Sequence, residues 1–210
     1  RGYWGMDTLK NLNGSIAYAN SSFFARDLTA SIGNGSIDLN GMLGPERGRM
    51  SARLDNFPSG LLNNISGIPY VEGQLNGDII AENGYRNYNI YLDVNMQDII
   101  IDNSTFDNLT LNGSIDNHYN GTVTMKLIGG NALGIDIELL YGELKKNDLN
   151  IYTNVSAIFE SGYLEYEGDY VWNNADNFNG LIRTLSLNSN GKRIFLSKPV
   201  YINVSEDSLE

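Results

Sequence analysis

Apolar and polar residues alternate one for one along most of this chain. Tyr88, Ile90, Leu92 and Val94 alternate with Asn89, Tyr91, Asp93 and Asn95. Leu109, Leu111 and Ile115 alternate with Thr110, Asn112 and Ser114, and Val123, Met125 and Leu127 with Thr122, Thr124 and Lys126. Leu133, Ile135, Ile137, Leu139 and Tyr141 share one phase, as do Leu149, Ile151, Thr153 and Val155. A period of two predicts strands with one oily and one wet face. No stretch carries the i, i+3, i+4, i+7 spacing of an amphipathic helix. The short Leu61–Leu62 patch, bounded by Pro58, Gly60 and Gly67, has room for one helical turn. Asn83-Gly84, Asn120-Gly121 and Asn190-Gly191 fall between alternating runs, where Asn-Gly supplies the positive φ of a hairpin turn. The expected connectivity is an antiparallel meander.

A second pattern is laid over the first. Leu12-Asn13-Gly14-Ser15-Ile16 returns as Leu39-Asn40-Gly41-Met42-Leu43, Leu75-Asn76-Gly77-Asp78-Ile79 and Leu111-Asn112-Gly113-Ser114-Ile115. Phe178-Asn179-Gly180-Leu181-Ile182 is a looser copy. Recurrence over tens of residues predicts a quasi-repetitive architecture. Each glycine falls in the apolar phase. A residue without Cβ there lets the strand bend or lets another backbone approach. Gly14, Gly41, Gly77, Gly113 and Gly180 are therefore candidate crease positions.

Composition narrows the function. The chain is 41% hydrophobic, so it can build a core, but only 19% charged, with Asn, Ser, Thr and Gly in place of charge. Fourteen Lys and Arg stand against 25 Asp and Glu, a net charge of −11. Nucleic acid is excluded as a partner, because binding it needs clustered cations. An anionic membrane surface would also repel this segment, so a lipid ligand is not expected to be held through a basic patch. There is no cysteine, and no run approaches the ~20 apolar residues of a transmembrane helix. Sequons such as Asn13, Asn64 and Asn154 are what so much Asn produces by chance.

Catalytic chemistry is hard to find. The single histidine, His118, lies in the turn-like stretch Asp116-Asn117-His118-Tyr119-Asn120-Gly121, and no Gly-x-Ser-x-Gly elbow exists. The same stretch alternates like a calcium loop, but Leu127 stands where a bidentate Glu is needed. Glu165 and Glu167, among Tyr163, Tyr166 and Tyr170, keep a sugar-cleaving or sugar-binding surface open. Gly129-Gly130 reads as a turn, with no following Lys or helix to hold phosphate. Trp4 and Trp172 read as core or groove-edge residues. The expectation is a protein that is not an enzyme and needs no metal or cofactor.

The C-terminal stretch carries a family resemblance. Phe178-Asn179-Gly180 is followed by Leu185-Ser186-Leu187, the turn Ser189-Asn190-Gly191, and Phe195-Leu196-Ser197-Lys198-Pro199-Val200 with Ile202. This resembles the aromatic-x-Gly, Leu-x-Leu, Gly-turn and Trp-x-Leu-x-x-Pro series of the TamB/AsmA-like family, with Ile194 in place of the family's Trp. Segments 37–43 and 68–79 are similar more loosely. The resemblance implies an all-β fold: an elongated antiparallel sheet folded lengthwise into a U-shaped apolar groove, β-taco-like, with residues 1–210 forming a single segment of a longer repetitive protein. It also implies a periplasmic location, an inner-membrane anchor outside this segment, and phospholipid acyl chains as cargo between inner and outer membrane. Support of outer-membrane protein assembly, through an outer-membrane barrel of the BamA or TamA kind, is implied as well.

Elementary geometry agrees with such a trough. Eight-residue strands span about 27 Å, and roughly 14 of them at ~4.8 Å give a groove about 65 Å long. The candidate lining is the in-phase apolar set Ile37, Leu39, Leu75, Ile79, Ile90, Leu92, Val94, Leu109, Leu111, Ile115, Val123, Met125, Leu127, Ile135, Ile137 and Leu139. Two alternatives compete: a structural or adhesive β-solenoid on a cell surface, and a carbohydrate-binding β-sandwich.

Overall fold

The computed structural model describes residues 3–4, 7–60, 71–102, 104–132, 134–174 and 177–204. The Leu61–Leu62 patch, the Asn64 sequon and Leu133 lie outside these residues, as does the side chain of Trp4. The strands are β1 (Tyr3–Trp4), β2 (Asp7–Ala19), β3 (Ser22–Ile32), β4 (Gly35–Leu43), β5 (Gly48–Pro58), β6 (Val71–Glu82), β7 (Asn89–Ile101), β8 (Ser104–Asp116), β9 (Gly121–Ala132), β10 (Ile135–Asn147), β11 (Asn150–Phe159), β12 (Gly162–Asn174), β13 (Asn177–Ser189), β14 (Lys192–Phe195) and β15 (Val200–Val204).

They form one 15-stranded antiparallel sheet in which β1 to β14 pair in chain order, with β15 on the other half of β13. The sheet is open. It is neither a two-sheet sandwich nor a parallel coil. Most connections are two-residue hairpins, as at Asn20-Ser21 and Asn190-Gly191, where both residues have positive φ. That sign matches the right-handed strand twist, which is why Asn and Gly stand there. The main strands run from 9 to 13 residues, longer than the eight expected.

The extra length accommodates a bend. Four strands step from one apolar residue to another across two residues, the second of them Asn or Asp: Leu9-Lys10-Asn11-Leu12, Ala25-Arg26-Asp27-Leu28, Leu54-Asp55-Asn56-Phe57 and Met96-Gln97-Asp98-Ile99. Asn11, Asp27, Asn56 and Asp98 all have φ near +50°. Register shifts accompany the first three in the β2–β3, β3–β4 and β5–β6 pairings. Such β-bulges bend and twist a strand, and short polar side chains tolerate the left-handed conformation better than others. On β8 and β9 the line continues through Asp107 and Gly129, and on β10 through the shift between Ile137 and Leu139. The bends on β3 and β5 lie at different levels, whereas those on β7 to β10 share one cross-strand row.

The tandem glycines therefore do not line up as a single crease. Gly41 pairs with Met50, Gly77 with Leu54 and Val94, and Gly113 with Leu92 and Val123, in three different cross-strand rows. They serve close approach instead: a Cβ at Gly14, Gly41, Gly77 or Gly113 would collide with a neighbouring strand's carbonyl. Gly129-Gly130 is likewise not a turn. It lies inside β9, with the Asp107 carboxylate packed on Gly129.

The described core is small. Leu54, Leu75, Val94, Met96 and Ile99 are buried together, flanked by Ile37, Phe57, Val71, Ile79, Ile101, Phe106 and Leu109. The whole chain exposes 13554 Å². A compact monomer of 23.2 kDa exposes about 9,700 Å². The excess of roughly 40% is that of an open sheet, about 62 Å long across 14 paired strands.

Candidate functional site

Residues paired across neighbouring strands point to the same face. The register thus fixes which side chains share a surface. One row runs Leu39–Ala52–Ile79–Leu92–Gly113–Val123, and the next runs Ile37–Leu54–Gly77–Val94–Leu111–Met125. Leu75–Met96–Leu109–Leu127 and Ala81–Ile90–Ile115 flank them. These rows lie two residues apart on every strand, so they form one continuous apolar face. Of the sixteen candidate lining residues, all from Ile37 to Leu127 fall on it.

The last three, on β10, divide. Ile137 pairs with Phe159, and Leu139 pairs with Ile158, so the bulge between them sends Leu139 to the opposite face. Leu140 takes its place, between Leu127 and Ala157. Ile135 stays in phase, opposite Ala132, but sits at the strand end and is exposed. Tyr141, opposite Lys126, follows Leu139 outward. Periodicity also missed Leu54, Phe57, Met96, Ile99 and Phe106. Each is separated from its neighbours by a bulge or lies in a run without clean alternation.

Leu92, Leu109, Leu111, Ile115, Val123 and Met125 remain half-buried, so the face is accessible along β7 to β9. Toward the C-terminal end it is finished differently. Tyr166 and Tyr170 bring their hydroxyls over Gly168, and the Tyr170 ring lies on Gly180, stacked on Phe178 with centroids 5.1 Å apart. Gly180 is thus a seat for an aromatic ring rather than a backbone approach.

The opposite face is largely polar and knitted by hydrogen bonds, with Ile128, Leu139, Ile158 and Tyr163 paired as one apolar row across β9 to β12. Asn95 Nδ2 donates to Asn108 Oδ1 (2.9 Å) and to Thr110 Oγ1 (3.3 Å). Lys145 pairs with Glu143 at 2.9 Å, and this hydrogen bond raises the lysine's pKa above its ordinary value. Tyr152 donates to Glu167; desolvation, then the Glu167 charge, push the phenol upward. Glu165 and Glu167 share this face, pairing with Ser156 and Asn154, whereas Tyr166 and Tyr170 point the other way. The acid–tyrosine cluster legible in sequence is thus split between two faces.

One long rim is tied together turn by turn. The Tyr85 and Arg86 amides donate to the Gly44 and Pro45 carbonyls. Asn117 Nδ2 donates to the Arg86 carbonyl (3.0 Å), Lys146 Nζ to that of His118 (3.3 Å), and the Asp148 amide to Asn120 Oδ1. The Trp172 amide completes the series on the Leu149 carbonyl. Within it Asp116 accepts from the Asn120 and His118 amides, both at 2.8 Å. The Asn120 amide is the main cause that holds its carboxyl below the ordinary range, against a smaller desolvation effect. His118 is an exposed residue of this hairpin turn. No family model, curated protein or solved structure matches this chain.

Proposed function

We propose that this chain is a TamB/AsmA-like segment whose apolar face holds phospholipid acyl chains as they pass between the inner and outer membranes of a double-membrane bacterium. The observation that carries the reading is the unbroken run of apolar rows across β4 to β9 on an open sheet. An acyl chain laid on such a face leaves water, gaining about 0.8 kcal/mol for each buried CH₂. A lining of similar residues from strand to strand offers no deep well, so a lipid can slide. Headgroups stay in solvent above the rims. Binding of this kind needs shape and apolar surface, not a catalytic residue or cofactor. Support of outer-membrane protein assembly through a barrel partner of the BamA or TamA kind belongs to the same proposal.

Organic extraction of the purified chain, followed by mass spectrometry, tests it. Wild type is expected to carry stoichiometric phospholipid, and Leu111→Arg, which puts a cation between Val94 and Met125, is expected to lose most of it while keeping its strand circular dichroism. Asn112→Arg, on the polar face, is expected to keep its lipid. A lipid-free wild type, or equal lipid in both variants, contradicts the proposal.

A further inference from the structure

We infer that the polar face carries a binding site for neutral oligosaccharide across β10 to β13, an inference that goes beyond the acyl-chain face and does not rest on it. A cavity of about 700 Å³ opens there, within the size range of small-ligand sites. Strand pairing lays two rows of side chains along it. One runs Lys145–Tyr152–Asp169–Leu181, and the other runs Asn147–Asn150–Val171–Asn179. Each of these four strands is hydrogen-bonded to a neighbour on both sides, so the site lies within the sheet and not on an edge. From β10 to β13 the rows span about 14 Å, room for a short oligosaccharide.

The side chains in these rows match the surface of a sugar. Tyr152 and Leu181 are half-buried and Val171 is exposed, which gives an apolar floor where ring C–H groups can leave water. The Tyr152 ring is already held: its hydroxyl donates to Glu167 (3.4 Å), and the Lys145 ammonium lies 5.7 Å from the ring centre. A ring fixed in this way loses little freedom on binding. Beside the floor, the amides of Asn147, Asn150 and Asn179 are exposed and make no side-chain hydrogen bond among the described residues. An amide both donates and accepts, as the hydroxyls of a sugar do. The charged groups of the rows are already answered, Lys145 by Glu143 and Asp169 by Arg183, so the site does not call for an ionic ligand. An extended peptide would need unpaired strand backbone, which four doubly paired strands do not offer. The acyl-chain face lies on the other side of the sheet, so the two ligands do not compete.

The test is isothermal titration of the full 210-residue chain with maltohexaose, chitohexaose and xylohexaose, and with hexagalacturonate as the anionic counterpart. At least one neutral hexasaccharide is expected to bind in the millimolar range or tighter, with little dependence on salt, and hexagalacturonate to bind more weakly. Tyr152→Ala should weaken binding about ten-fold, by removing the ring from the floor. Asn150→Ala/Asn179→Ala breaks no side-chain hydrogen bond of the folded chain, so it should fold as wild type does and still bind several-fold more weakly. Asn112→Ala, on the polar face away from the cavity, should bind as wild type does. No heat from any neutral hexasaccharide at millimolar concentration, unchanged affinity in Asn150→Ala/Asn179→Ala, or a preference for hexagalacturonate would each overturn the inference. Leu111→Arg, on the apolar face, should keep its sugar affinity, so the acyl-chain reading and the sugar site fail independently.

Discussion

At the scale of single residues, two features control how tightly the strands sit. Gly77 has a φ of +136°, and a Cβ there would collide with the Asp93 carbonyl. Gly77→Ala is therefore expected to cost roughly 2–4 kcal/mol, combining backbone strain with displacement of a neighbouring strand. Gly191, at φ +74° with open space around it, is the control: Gly191→Ala should cost only about 1 kcal/mol. Urea denaturation of both variants checks the difference. Asp116 is the second feature. Its folded pKa is depressed, so its contribution is fully present above the unfolded value of about 4 and lost as pH falls through the folded one. The protection of the His118 and Asn120 amides, measured against the intrinsic exchange rate at each pH, should then be lower below the ordinary carboxylate range than at neutral pH. Asp116→Asn should remove that acid-induced step.

At the scale of strands, the bulges decide what is inside. Asp98 sits at φ +52° between Met96 and Ile99, and Ile99 is only 1% exposed. Asp98→Gly should be near neutral, since glycine adopts this conformation freely, whereas Asp98→Val should destabilise by about 1–2 kcal/mol. The midpoint of chemical unfolding distinguishes the two. The bulges also mark how far the sequence could be read. Strict alternation in Tyr88–Val94 and Val123–Leu127 was enough to give the strands, the meander and one apolar face. It failed at Leu139 and Tyr141, because one extra residue after Ile137 inverts every later side chain on β10. The crease was legible in principle through the apolar–x–Asn/Asp–apolar steps, whose three-residue spacing breaks the period of two. The Leu-Asn-Gly copies drew attention to glycine, yet the bends fall mainly at Asn and Asp. Hydrogen bonds between successive rim turns left no signal, because they join residues tens of positions apart, such as Asn117 and Arg86.

At the scale of the molecule, the sheet behaves as a long surface rather than as a wrapped core. Among the described residues its buried cluster numbers only five, and Leu12, Ile16, Tyr18 and Phe23 lie exposed near its first strands. Opposed faces and a bonded rim are properties of the whole assembly of strands. The central claim is that one face, and not the other, meets acyl chains. Site-specific photocrosslinking in cells tests it most directly, with a photoreactive amino acid placed at Val94 or Leu111 on the apolar face and at Asp93 or Asn112 on the polar face. Phospholipid adducts at Val94 and Leu111 but not at Asp93 and Asn112 are the predicted result; adducts at all four positions, or at none, would contradict it.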